Sequence, residues 1–133
     1  MLKLIKVTLL GTALAWAITS FPAMAQGGAV ISQSEIDSAR VTRIYMGQSR
    51  ELIAVNQQEG SAVRQAFEAN VIGRSAEQIK AHWSRLVFTG RAAELRQVES
   101  DEAVLEYVRS NPGTIGYISD ASKADDLNIL LEF

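Results

Sequence analysis

The period of the apolar positions changes repeatedly along this chain, and each change marks an element. A mainly apolar run from Val7 to Ile18 comes first, followed by small residues from Gln26 to Ile31 that read as a loose lead or a marginal strand. Ile36, Val41, Ile44 and Tyr45 then recur on one side of a helix. Ser34 is its expected N-cap, Glu35 and Asp37 place carboxylates at its positive end, and Gly47 stops it. Leu52–Val55 is short and apolar and predicts a strand, with polar Asn56–Gly60 as the loop that leaves it. Ser61 opens a second helix that carries Val63, Ala66, Phe67 and Val71 and ends at Gly73. Ser75 opens a third. Its Ser-x-x-Gln spacing to Gln78 lets the hydroxyl accept the Gln78 amide while the glutamine reaches back to the serine amide. Ile79, Trp83, Leu86 and Val87 give this helix an apolar stripe, expected to be a core face anchored by Trp83 and ending before Gly90.

The remaining third is strongly punctuated. Arg96–Val98 predicts a short strand, and Ser100 caps a fourth helix through Arg109. Asn111, Pro112 and Gly113 stop that helix, because proline has no amide donor and glycine tolerates positive φ. Thr114, Ile115, Tyr117 and Ile118 are β-branched or aromatic and form the next strand, in which Gly116 leaves room for a close approach. Leu127–Phe133 closes the chain as a strand. Mixed helices and strands predict a single small layered domain, α/β or α+β, rather than a bundle or a sandwich.

Residues 1–25 have the form of a signal peptide, with Lys3 and Lys6 before the apolar run and Ala23-Met24-Ala25 as the cleavage site. Cleavage before Gln26 leaves residues 26–133 as one exported domain, expected in a periplasm and without stable membrane insertion. The run is shorter than the roughly 20 residues that span a bilayer. Beyond residue 25 the chain carries 11 basic and 15 acidic residues, a net charge of −4, which argues against nucleic acid as a partner. The absence of cysteine removes disulfides, thiolate nucleophiles and cysteine-based zinc sites together.

Four stretches resemble one family in the order in which they occur. Asn111–Ser119, NPGTIGYIS, is similar to the "pGaIGY" element that ends the second lobe of the phosphate ABC transporter substrate-binding family. Ile44–Val55 resembles its "IFlG" stretch, and Gln78–Gly90, which contains HWSRLVFTG, resembles its "W…f.G" helix. The turn Gly60-Ser61-Ala62-Val63 resembles a Gly-Ser-Gly-Thr turn at a helix start, with Phe67 following as in the family. It departs from that pattern at Ala62 and Val63, and at Gln57, where a phosphate-contacting arginine is expected. The resemblance covers about residues 34–119 and implies one lobe of a type 2 periplasmic binding protein, with inorganic phosphate or a similar oxyanion as ligand.

The candidate site is therefore Gly60, Ser61, Ala62, Val63 and Arg64. First-turn amides, the Ser61 hydroxyl and the helix dipole can hold an anion there, with Arg64 as charge partner. The same residues also read as a simple helix cap. No catalytic residues, metal ligands or cofactor are expected. His82 is the lone histidine, and Ser61, His82 and Asp101 lack the nucleophile elbow that would orient a triad. Asp125-Asp126 reads as a solvated pair, and Tyr117 and Trp83 as core or boundary aromatics. The reading is an exported phosphate- or oxyanion-binding or accessory protein that is not an enzyme. The alternative is a periplasmic interaction or structural module that has lost the anion site. A single lobe also exposes the surface its missing counterpart would face, which favours a homodimer or a partner protein.

Overall fold

The computed structural model describes residues 27–133, so the expected signal segment 1–25 and its cleavage site lie outside the described residues. Strands β1 (Ala29–Ser32), β2 (Ile53–Gln57), β3 (Arg96–Val98), β4 (Thr114–Ile118) and β5 (Asn128–Glu132) form one sheet in the order β3-β2-β4-β1-β5. β2 runs parallel to both of its neighbours, and β1 antiparallel to both of its own. Helices α1 (Ser38–Tyr45), α2 (Ala62–Phe67), α3 (Ala76–Phe88) and α4 (Asp101–Ser110) connect them, and α2 runs on into a π-helical turn, Glu68–Ile72. The α/β layered domain expected from the sequence is the one observed.

Side chains of a strand alternate between the two sheet faces, so β1 and β4 supply two separate cores. Val30, Ile115 and Tyr117 join Val41, Ile44, Tyr45 and Phe67 on the face covered by α1 and α2. Ala29, Ile31 and Ile118 join Val104, Leu105 and Val108 on the face covered by α4. Phe67 stacks on Tyr117 with ring centroids 4.0 Å apart, and Tyr45 meets Phe67 edge-on at 4.6 Å. On the other face, a Cβ at Gly116 would lie 2.5 Å from Val104 Cγ1, so the glycine sets how closely α4 can lie on β4.

Several elements differ from expectation for identifiable reasons. The stretch expected to be a loose lead or a marginal strand is β1, buried throughout and hydrogen-bonded along both edges, because its small and β-branched residues fit between two strands. The N-cap of α1 is Asp37 rather than Ser34; its carboxylate accepts the Ala39 amide at 3.0 Å, so the expected first-turn acids lie ahead of the helix. The Ser34 amide instead donates to the Ser32 hydroxyl. β2 continues to Gln57, two residues into the expected polar loop, because parallel pairing with β3 extends that far. Ser61, Ser75 and Ser100 cap α2, α3 and α4 as predicted, and both bonds of the Ser75–Gln78 capping box are present.

The apolar stripe of α3 is not the core face it was expected to be. Only Ile79 is buried; Trp83 and Leu86 are half-buried, Val87 is 46% exposed and Phe88 93% exposed. Among the described residues, no other element closes over this side of α3. The helix is tethered where Trp83 Nε1 donates to the Tyr45 carbonyl at 3.1 Å and His82 Nε2 to the Met46 carbonyl at 2.8 Å.

Candidate binding site

The C-terminal ends of β2 and β4 meet the N-terminal ends of α2 and α4 at one pole of the sheet, where open α/β folds hold ligands. The predicted site residues Gly60–Arg64 lie there. Gly60 takes φ +83° and turns the chain, and the Ser61 amide closes the turn on the Gln58 carbonyl at 3.1 Å. The Ser61 oxygen accepts the Arg64 amide at 3.3 Å. Ala62 and Val63 occupy the first turn, where helix amides have no intrahelical partner. Ser61 therefore caps α2, as the helix-cap reading of these residues expects.

The charge partner is committed elsewhere. Arg64 Nε donates to Glu68 Oε1 at 2.7 Å and Nη1 to the Gln57 carbonyl at 3.0 Å, and both side chains of the ion pair are largely buried. Gln57 is a tie between elements: its side-chain amide donates to Asp101 Oδ1 at 2.8 Å and to the Tyr117 carbonyl at 3.0 Å. The Tyr117 hydroxyl accepts the Gln57 amide at 3.0 Å and donates to Asn56 Oδ1. Burial holds the Tyr117 phenol well above its ordinary pKa, and burial does the same for Tyr45, whose hydroxyl donates to the Val55 carbonyl at 2.8 Å. Asp101 also accepts from the Ser119 amide and hydroxyl, and Lys123 Nζ lies 3.9 Å from it. Sequence reasoning missed this network because its members are remote along the chain; a glutamine ending an otherwise apolar strand was the available signal.

The pole is thus a self-satisfied polar cluster containing two carboxylates, Glu68 and Asp101. An anion there would meet first-turn amides and one hydroxyl, without a free guanidinium. Ser61, His82 and Asp101 serve the Arg64 amide, the Met46 carbonyl and the Gln57–Ser119 cluster respectively, so the structure does not bring them together as a triad. Asp125 and Asp126 are both exposed, as expected of a solvated pair, and Asp126 is also ion-paired. It receives both Arg109 Nη2, at 2.7 Å, and Nε, at 2.9 Å, and this bond lowers its pKa. Among the described residues, no three His or carboxylate groups gather as metal ligands, and no helix is long and apolar enough to cross a membrane.

A second concave region lies beside α3. Trp83, Val87, Phe88 and Leu95 line an open groove of about 390 Å³, with Lys80 and Glu59 on its rim 3.6 Å apart. This groove adjoins β3, which ends the sheet on that side.

No protein-family model and no curated protein matches the chain. The fold is similar to a solved structure described as a phosphate ABC transporter substrate-binding protein from Clostridium perfringens with bound phosphate, at a TM-score of 0.59 and 21% identity. The match covers 78% of this chain and 44% of that one, so the chain spans less than half the length of the similar protein. At this identity the likeness establishes the fold alone, a small mixed α/β domain similar to part of that structure.

Proposed function

We propose that the protein is an exported, non-enzymatic binding module of the substrate-binding type that acts chiefly by docking a partner protein across the groove beside α3. The observation that carries this reading is Phe88, 93% exposed beside Val87 on the rim of an apolar groove. A contiguous apolar surface of this kind marks an interaction site more often than an idle one. The strand-end pole supports the same choice, because it retains its arginine for Glu68 and Gln57. A photo-crosslinking residue at position 88, expressed with the full chain in cells, should give a discrete protein adduct that the same residue at position 125 does not. An adduct of twice the chain mass would identify a second copy as the partner. No adduct at 88 would end this reading.

A second reading has its own observation. The similar structure was solved with phosphate, and the Ser61 hydroxyl with the amides of Ala62 and Val63 forms a small donor set at the start of α2. With Arg64 tied to Glu68, phosphate there would bind weakly, in the micromolar to millimolar range. Phosphate raising the melting temperature of the wild type but not of Ser61→Ala would favour this reading, since a ligand of the native state stabilises it by mass action. Export itself is tested by N-terminal sequencing of the periplasmic protein, which should begin at Gln26.

A further inference from the structure

The flank of α3 opposite its apolar groove carries a hollow that neither the strand-end pole nor the docking groove uses. Local chemistry builds it. The π-helical turn after Phe67 ends at Gly73 with φ +71°, and this reversal delivers Arg74 to the rim just before the Ser75 cap. Gln78, His82 and Arg85 then follow at spacings of four and three, which align them along one side of α3. Together with Gly73 and Ala81 they line an open surface hollow of about 490 Å³.

We propose that this hollow binds a small organic dianion, a dicarboxylate or a phosphate monoester, through the guanidinium groups of Arg74 and Arg85. Three observations support it. Among the five hollows described on the surface, its wall alone carries no carboxylate. Neither arginine takes part in an ion pair among the described residues, whereas Arg40, Arg64 and Arg109 all do. The other two polar walls are already oriented. Gln78 Oε1 is held by the Ser75 amide at 3.1 Å, which leaves its NH₂ end for a ligand, and His82 is fixed by the Met46 carbonyl, which can only accept and so draws its Nε2 proton.

The chemistry selects the ligand class. Guanidinium groups match the planar fork of a carboxylate and the edge of a phosphate, and two of them with no acid between them call for two negative charges. The volume falls within the range of small-molecule sites and exceeds what a bare inorganic ion fills.

Titrating succinate and glycerol 3-phosphate separately into the protein, followed by NMR of the Gln78 side-chain amide and the arginine Nε groups, tests the site. Saturable shifts are expected with at least one probe, and the tighter one identifies the carboxylate or the phosphate-ester source. Arg74→Gln and Arg85→Gln, both at exposed positions, should each weaken binding about tenfold or more while leaving the rest of the amide spectrum in place, and Ser61→Ala should leave it unchanged. No saturation with either probe by about 20 mM, or equal binding by both arginine variants, would overturn the proposal. Binding that Ser61→Ala abolishes and Arg85→Gln spares would overturn it too, by placing the anion at the start of α2.

Discussion

The face where α1 and α2 cover the sheet and the side of α3 that carries Trp83 are rich in the same residue types, and they differ in what closes over them. On the first, Phe67 is sandwiched by Tyr117, Tyr45 and Phe133, with centroids 4.0 to 5.6 Å away; Tyr117 and Tyr45 are anchored in β4 and α1, and Phe133, just past β5, is held by its amide bond to the Gly28 carbonyl. On the second, Trp83 is held by one hydrogen bond to Tyr45 and by contact with Gly47, and Phe88 extends into water. An apolar stripe becomes a core only where another layer lies over it. Where none does, the same stripe is a surface that a second molecule can use.

The sharpest way to break this comparison is to empty the closed side. Phe67→Ala removes the ring that joins α2 to β4 and should cost about 3 to 5 kcal/mol, a large part of the stability of a domain this size. Denaturant melts showing a loss near 1 kcal/mol would mean that the closed side packs no better than the open one. Alkali tests the same core without mutation. The folded pKa values of Tyr45 and Tyr117 are raised by burial, so the native state keeps both protons after the unfolded chain has lost them near pH 10. The stability they contribute is complete below pH 10 and declines as pH rises towards their folded values, by about 1.4 kcal/mol per unit for each, close to 3 kcal/mol by about pH 11. Thermal melts from pH 8 to 11.5 should show the decline, and Tyr117→Phe should reduce its slope by about half.

How much of this was legible in the sequence follows the same division. The caps at Ser61, Ser75 and Ser100, the Pro-Gly turn and β4 were readable because each depends on residues within four positions of one another. Periodicity could show that α3 has an apolar stripe but not whether anything covers it, since that depends on where the segment after Gly90 runs. At the candidate site, the Ser61 turn was readable and the fate of Arg64 was not. Glu68 lies four residues on and gave a local hint, but the Gln57 carbonyl reaches the guanidinium only because β2 runs two residues further than its apolar run. Gln57, Asp101 and Ser119 meet only because β2 and β4 are adjacent, and nothing local encodes that.

Trp83→Ala is the next step down and separates half-buried from buried. From the sequence alone a core anchor is expected, with a loss of about 3 to 5 kcal/mol. The observed environment supplies one hydrogen bond and partial burial, which together predict about 1 to 2 kcal/mol. Urea melts of this variant beside Phe67→Ala place the two sides on one scale. Equal losses would show that α3 is as firmly packed as α2, and the contrast between the regions would collapse.

The smallest expected change in stability belongs to Phe88→Ser. A ring that is 93% exposed makes few contacts to lose, so the substitution should shift folding by less than about 0.5 kcal/mol in either direction. Its effect should appear in association instead. If the groove docks a partner, Phe88 is the anchor at its rim, and interface anchors of this type typically cost 2 kcal/mol or more when truncated, about a thirtyfold loss in affinity. Pairing a urea melt with the yield of a crosslinked adduct, formed from a photo-reactive residue at the neighbouring position Val87, reads both quantities on one protein. An unchanged melt with a lost adduct marks Phe88 as surface kept for binding. A melt lowered by 2 kcal/mol or more would show that the ring is covered within the chain, and α3 would then belong to the core that its sequence stripe suggests.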